Sequence, residues 1–134
     1  MTQFLLNAAI KTDVSEAKCL NPSPQTEGSF NLILRKVPDE DRQVHLFWDA
    51  FANNAKAQGG ITGIRHAEAM LREQEKIPER WRGNDLIFPE LWHWRLAPPR
   101  YILIRYDYAK SKWCLYWPSI DYPLSGNSQY VVAE

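Results

Sequence analysis

No hydrophobic run in this chain approaches the roughly 20 apolar residues that a membrane-spanning helix needs, so no helical span is expected. Cysteine is scarce. Cys19 and Cys114 are the only two, too few for a disulfide scaffold and without metal-ligand spacing, so free thiols in a reducing compartment are expected. Charge of one sign is also lacking: sixteen Lys and Arg balance sixteen Asp and Glu. The broad basic field that drives sequence-independent DNA binding is therefore missing. A secretory leader is not expected either. Residues 4–10 (FLLNAAI) are apolar, but no basic residue precedes them, Asn7 interrupts them and no cleavage site follows. A cytoplasmic location is the resulting expectation. No internal repeat and no low-complexity tract is present.

What remains is ordinary in bulk and unusual in detail. The 134 residues are 45% hydrophobic and 24% charged, the size and balance of a single domain over 1–134 with one sizeable core. Alternation comes first. Phe4, Leu6, Ala8 and Ile10 face away from Gln3, Leu5, Asn7 and Ala9, which predicts a strand. Residues 11–28 are rich in Pro, Ser and Asn and read as a long polar loop of mobile composition, with a weak helical start within 13–19. Residues 30–37 (FNLILRKV) predict a second strand, because they are β-branched and aromatic and are bounded by Gly28 and Pro38.

Two helices are expected next. Val44, Phe47, Trp48, Phe51 and Ala55 recur with helical spacing after Asp39, and Gly59-Gly60 ends the run. Thr62 is placed to cap a second helix in which Ile64, Ala67 and Leu71 share a face. Lys76 lies in its last turn and Pro78 bounds it. The glycines of 59–63 read as a helix–helix turn. The pattern then returns to sheet. In 86–96, Phe88, Trp92, Trp94 and Leu96 share one side, and Pro98-Pro99 breaks the run. Residues 101–107 and 113–117 form a hairpin, and 129–133 add a short edge strand. The expected fold is α+β: a mainly antiparallel sheet of five or six strands with two helices packed on one face, in the order β-β-α-α-β-β-β.

Chemistry is thinly signalled. His45 and Asp49 stand at i and i+4, the spacing by which a carboxylate orients an imidazole base, but with no nucleophile or third partner nearby in sequence an ordinary helix-surface pair explains them better. They are the candidate catalytic residues of a small hydrolase or transferase. His45, His66 and His93 lie on separate elements, and His66, Glu68 and Glu73 lack the spacing of H-E-x-x-H, so each histidine reads as a surface residue. No metal and no cofactor is expected. Cys114 reads as a small buried hydrophobe.

The strongest feature is aromatic. Residues 80–118 hold five of the six tryptophans and four tyrosines, with seven basic residues against three acidic ones. Trp, Tyr and Arg dominate protein-interface hot spots. The candidate binding residues are Trp92, Trp94, Tyr101, Arg105, Trp113 and Trp117, on alternating faces. The expected role is a non-enzymatic interaction module that binds a partner protein, or itself, through an aromatic and arginine-rich sheet surface. The alternative is single-stranded nucleic acid on the same surface, with bases stacked on rings and Arg95, Arg100, Arg105, Lys110 and Lys112 at phosphates.

Overall fold

The computed structural model describes residues 3–6, 12–20, 23, 28–37, 60–121 and 123–133. These form eight strands and one α-helix: β1 (Gln3–Leu6), β2 (Ala17–Cys19), β3 (Gly28–Lys36), β4 (Gly60–Ile61), α1 (Ile64–Arg72), β5 (Asp85–Trp94), β6 (Arg100–Asp107), β7 (Lys112–Tyr116) and β8 (Ser128–Ala133). Two short 3-10 turns, Gln74–Lys76 and Glu79–Trp81, connect α1 to β5. The architecture is mixed α+β and mostly sheet.

Six strands follow one another in the order β1-β3-β8-β5-β6-β7, with β2 on β5 and β4 on β8. The pairings are antiparallel except that of β5 with β8. The parallel pair has a topological cause. After β5 the chain makes the β6–β7 hairpin on one side of it and then returns to lie on the other. Residues 128–133 thus sit between β3 and β5 rather than at the edge expected for them. Tyr130, Val131 and Val132 are 1%, 0% and 0% exposed. Three consecutive apolar residues mark a strand covered on both faces, which is an interior position.

Alternation then sorts the side chains into two cores. Leu86, Phe88, Ile102, Ile104 and Val131 pack with Phe4, Phe30 and α1 on one face. Ile87, Leu91, Tyr101, Leu103, Tyr130 and Val132 pack with Val37 and Leu124 on the other. In β1 the expected period holds, with Phe4 and Leu6 buried and Leu5 exposed. In β5 it breaks. The register against β6 shifts between Phe88 and Trp92, and residues 85–92 are all buried. Leu96, expected on the face of Trp92 and Trp94, is instead 95% exposed in the turn with φ 65°.

The helix differs from its expected stripe. Ile64, His66, Ala67, Glu68, Ala69 and Met70 are all buried, so α1 lies inside the curl of the sheet rather than on its surface. Its C-terminus and the 3-10 turn that follows tie down both edges of the sheet formed by the described residues. The Leu5 N–H of β1 donates to Glu73 Oε2 (3.1 Å), and Arg72 Nη2 donates to the Leu5 carbonyl (3.2 Å). At the opposite edge, the Trp113 N–H of β7 donates to Gln74 Oε1 (2.9 Å), and Gln74 Nε2 donates to the Trp113 carbonyl (3.2 Å). Open edges are templates for unwanted pairing, and three consecutive side chains occupy part of each.

Several local expectations are corrected. The N-cap of α1 is Gly63, not Thr62. Thr62 Oγ1 instead donates to the Val131 carbonyl (2.7 Å). Lys76 belongs to a 3-10 turn beyond the helix. Gly60–Ile61 is a short strand against Ala133 and Val132, not a helix–helix turn. Within the polar loop, Ala17–Cys19 pairs with 92–94 as a strand, because β5 runs past the end of β8 and its backbone groups there need partners. No helical start forms in 13–19. The helix expected over 39–58, and residues 7–10 of the first strand, lie outside the described residues. No helix among the described residues is long and apolar enough to cross a membrane.

Candidate binding cleft

Asp85 opens β5 and Arg105 lies toward the end of β6. One step beyond the Leu86–Ile104 pair, the antiparallel register sets them opposite each other. Arg105 Nε donates to Asp85 Oδ1 at 2.7 Å and Nη2 to Oδ2 at 2.9 Å, a side-on bidentate pair. The two ends differ in environment. The Asp85 side chain is 6% exposed and that of Arg105 is 53% exposed. Ser125 Oγ also donates to Asp85 Oδ2 (2.9 Å) and lies 3.0 Å from Ser128 Oγ. The hydrogen bonds to Asp85 raise the pKa of Arg105 further above its ordinary value, so its charge is permanent.

The pair forms part of an open cleft of about 440 Å³. Tyr101, Leu103, Tyr116, Trp117, Pro118 and Pro123 line the rest of it. The Tyr116 ring lies 5.8 Å from the guanidinium carbon of Arg105, within reach of a cation–π contact. Tyr101 is nearly buried. Burial first, and then the Asp85 charge, push its phenol up to about 12, so it stays protonated. Alternation explains the assembly: Tyr101, Leu103 and Arg105 share one face of β6, and Leu103 and Arg105 stand opposite Tyr116 and Cys114 of β7.

The six residues singled out from the sequence separate here. Arg105, Tyr101 and Trp117 reach the cleft. Trp92 and Trp94 lie on the helix side of the sheet. Trp117, just past β7, meets both edge-on, at 6.4 Å and 5.0 Å. Trp113 is 4% exposed and packs against Tyr106 at 5.6 Å. Trp92, Tyr101 and Trp113 are therefore core side chains, while Trp94 and Trp117 are half-buried. His45 and Asp49 lie outside the described residues. Asp85, Tyr116 and Ser125 were not singled out beforehand. Their signal was weak: only the strand register places an acidic residue opposite Arg105.

Compared with known proteins, the chain matches no family model, no curated protein and no solved structure. The cleft is read from its own chemistry.

A second polar constellation lies in the helix-side core. Glu90, 4% exposed, accepts from Ile64 N–H (3.1 Å) and Trp92 Nε1 (2.7 Å) at one oxygen and from Ser23 N–H (2.8 Å) at the other. This carboxylate sits so close under Gly63 that a Cβ there would collide with it. Gly63 is required by that approach rather than by its backbone angles, which are extended. His66 is fully buried, which corrects the surface reading. Its Nδ1 accepts from Gly63 N–H at 3.1 Å, and its ring meets Phe30 edge-on at 4.9 Å. Burial, and then the charge of Arg65, lower its pKa to about 4. It is neutral at pH 7, with its proton on Nε2. Among the described residues, no three His, Cys, Asp or Glu side chains are grouped to hold a metal ion. This constellation is structural polar wiring: it fixes the N-terminus of α1 to β5.

Proposed function

We propose that this protein is a non-enzymatic interaction module that takes a segment of a partner protein, or of a second copy, into the cleft beside Arg105. One observation supports the reading above the others. Arg105 is held rigidly by a buried carboxylate, is half exposed, and stands among Tyr116, Tyr101 and Trp117. Arg, Tyr and Trp are the residue types that carry most interface energy, and a guanidinium already fixed in place loses little entropy on binding.

The experiment is site-directed photo-crosslinking in extract of the source cells, with a photoreactive phenylalanine at position 116 and, as control, at exposed position 108. The expected result is a discrete adduct from 116 that excess unmodified protein competes away and that position 108 does not give. An adduct of twice the chain mass would identify self-association. A chain that gives no competed adduct from 116 is not an interaction module of this kind.

A further inference from the structure

Resting on that reading of the cleft, we propose that the segment it takes is uncharged and proline-rich, bound in the polyproline II conformation.

Charge comes first. Among the described residues, Asp85 and Arg105 are the only charged ones that line the cleft, and they neutralise each other at 2.7 and 2.9 Å. A phosphate or an acidic side chain would gain from Arg105 and lose to Asp85 a few ångströms away, and a basic one the reverse. A neutral chain loses to neither, so it is the occupant whose charge complements this site.

Hydrogen-bonding capacity narrows the chemistry. Both Asp85 oxygens are already engaged, one by Arg105 and the other by Arg105 and Ser125. Arg105 spends Nε and Nη2 on that carboxylate. Its Nη1 has no partner among the described residues, on a side chain that is half exposed. The cleft therefore has donors to give, while its strongest acceptor is used up. A segment with backbone carbonyls and few N–H groups fits that inventory. Proline lacks the N–H and keeps the carbonyl.

The walls agree. The Tyr116 ring, 40% exposed, with Pro118 and Pro123 beside it, presents flat apolar surface. Aromatic grooves of this kind hold pyrrolidine rings, and a polyproline II chain reaches them already ordered, so little conformational entropy is lost. The volume of about 440 Å³ lies within the usual range of ligand clefts.

The test is an NMR titration of the full chain, reading its backbone amides and tryptophan indoles. The probes are capped decaproline, a capped glycine–serine decamer, a capped glutamate decamer and decathymidylate, each at low and high salt. Decaproline is expected to shift Trp117 and residues 101–105 saturably, with a midpoint that salt leaves unchanged. Tyr116→Ala should weaken it by about tenfold or more, and Tyr116→Phe should restore it. Absence of a saturable decaproline shift overturns the inference, as does equal binding of the glycine–serine peptide. Tighter, salt-sensitive binding of the glutamate peptide or of decathymidylate also overturns it. The crosslink from position 116 separates the two claims: an adduct without decaproline binding leaves the cleft reading standing, and neither result removes both.

Discussion

The side-chain amide of Gln74 bonds the backbone of Trp113 twice, accepting from its N–H at 2.9 Å and donating to its carbonyl at 3.2 Å. One carboxamide thereby stands where the peptide group of a neighbouring strand would stand. Its neighbours Arg72 and Glu73 do the same for Leu5 at the other edge. An amide beside a main-chain pair satisfies donor and acceptor together, which neither a hydroxyl nor a carboxylate can do in the same geometry.

Gln74→Ala should therefore uncover the edge of β7. Loss of two neutral hydrogen bonds is expected to cost about 1–2 kcal/mol in denaturant unfolding. The freed edge should also make the variant associate with rising concentration. Sedimentation velocity across a concentration series checks this. A variant that is destabilised yet strictly monomeric would show that Gln74 holds β7 without guarding it.

His66 should make stability acid-sensitive in a defined window. Its pKa is about 4 in the folded chain against an ordinary 6.5, so between those values the unfolded state binds a proton that the folded state does not. Stability is full above about pH 6.5 and falls as pH drops toward 4. The loss is on the order of 3 kcal/mol. Chemical denaturation at several pH values, compared between the parent and His66→Gln, isolates this share. Parallel slopes for the two proteins would contradict it.

Gly63→Ala should cost about 2 kcal/mol or more, an overpacking penalty. The obstructing atoms end a flexible side chain, but Glu90 is buried and pinned by three N–H donors, so it cannot swing aside without leaving them unpaired. A thermal midpoint unchanged by the substitution would mean that Glu90 is mobile.

Truncating rings on opposite sides of β7 should give opposite outcomes. Trp113→Ala removes a buried side chain and is expected to cost about 3–5 kcal/mol. Tyr116→Ala removes a ring that is 40% exposed, and should cost under about 1 kcal/mol. Equilibrium unfolding of the two variants measures both. Similar losses would place Tyr116 in the core and take the accessible wall from the cleft.

How much was legible beforehand depends on the range of the interaction involved. Phe4 against Leu5, and Ile104 against Arg105, could be assigned to faces because alternation in a strand is a local property with period two. The β6–β7 hairpin and the existence of α1 are local in the same sense. The placement of Gln74 was not legible, because an exposed-looking glutamine between Glu73 and Glu75 gives no hint of a strand 39 positions away. Nor was the burial of His66, since a helix stripe shows which side is apolar but not whether a sheet curls around the rest.

The sequence by itself determined a mixed α+β chain with strands whose faces differ and an aromatic, arginine-bearing C-terminal half, since periodicity and composition are carried by near neighbours. Only the tertiary structure decided that 128–133 run inside the sheet, parallel to β5, and that Asp85 meets Arg105. It also decided which rings are core and which line a cleft. Those outcomes depend on long-range strand order, and strand pairing is set by the simultaneous burial of both sheet faces rather than by any one segment's pattern.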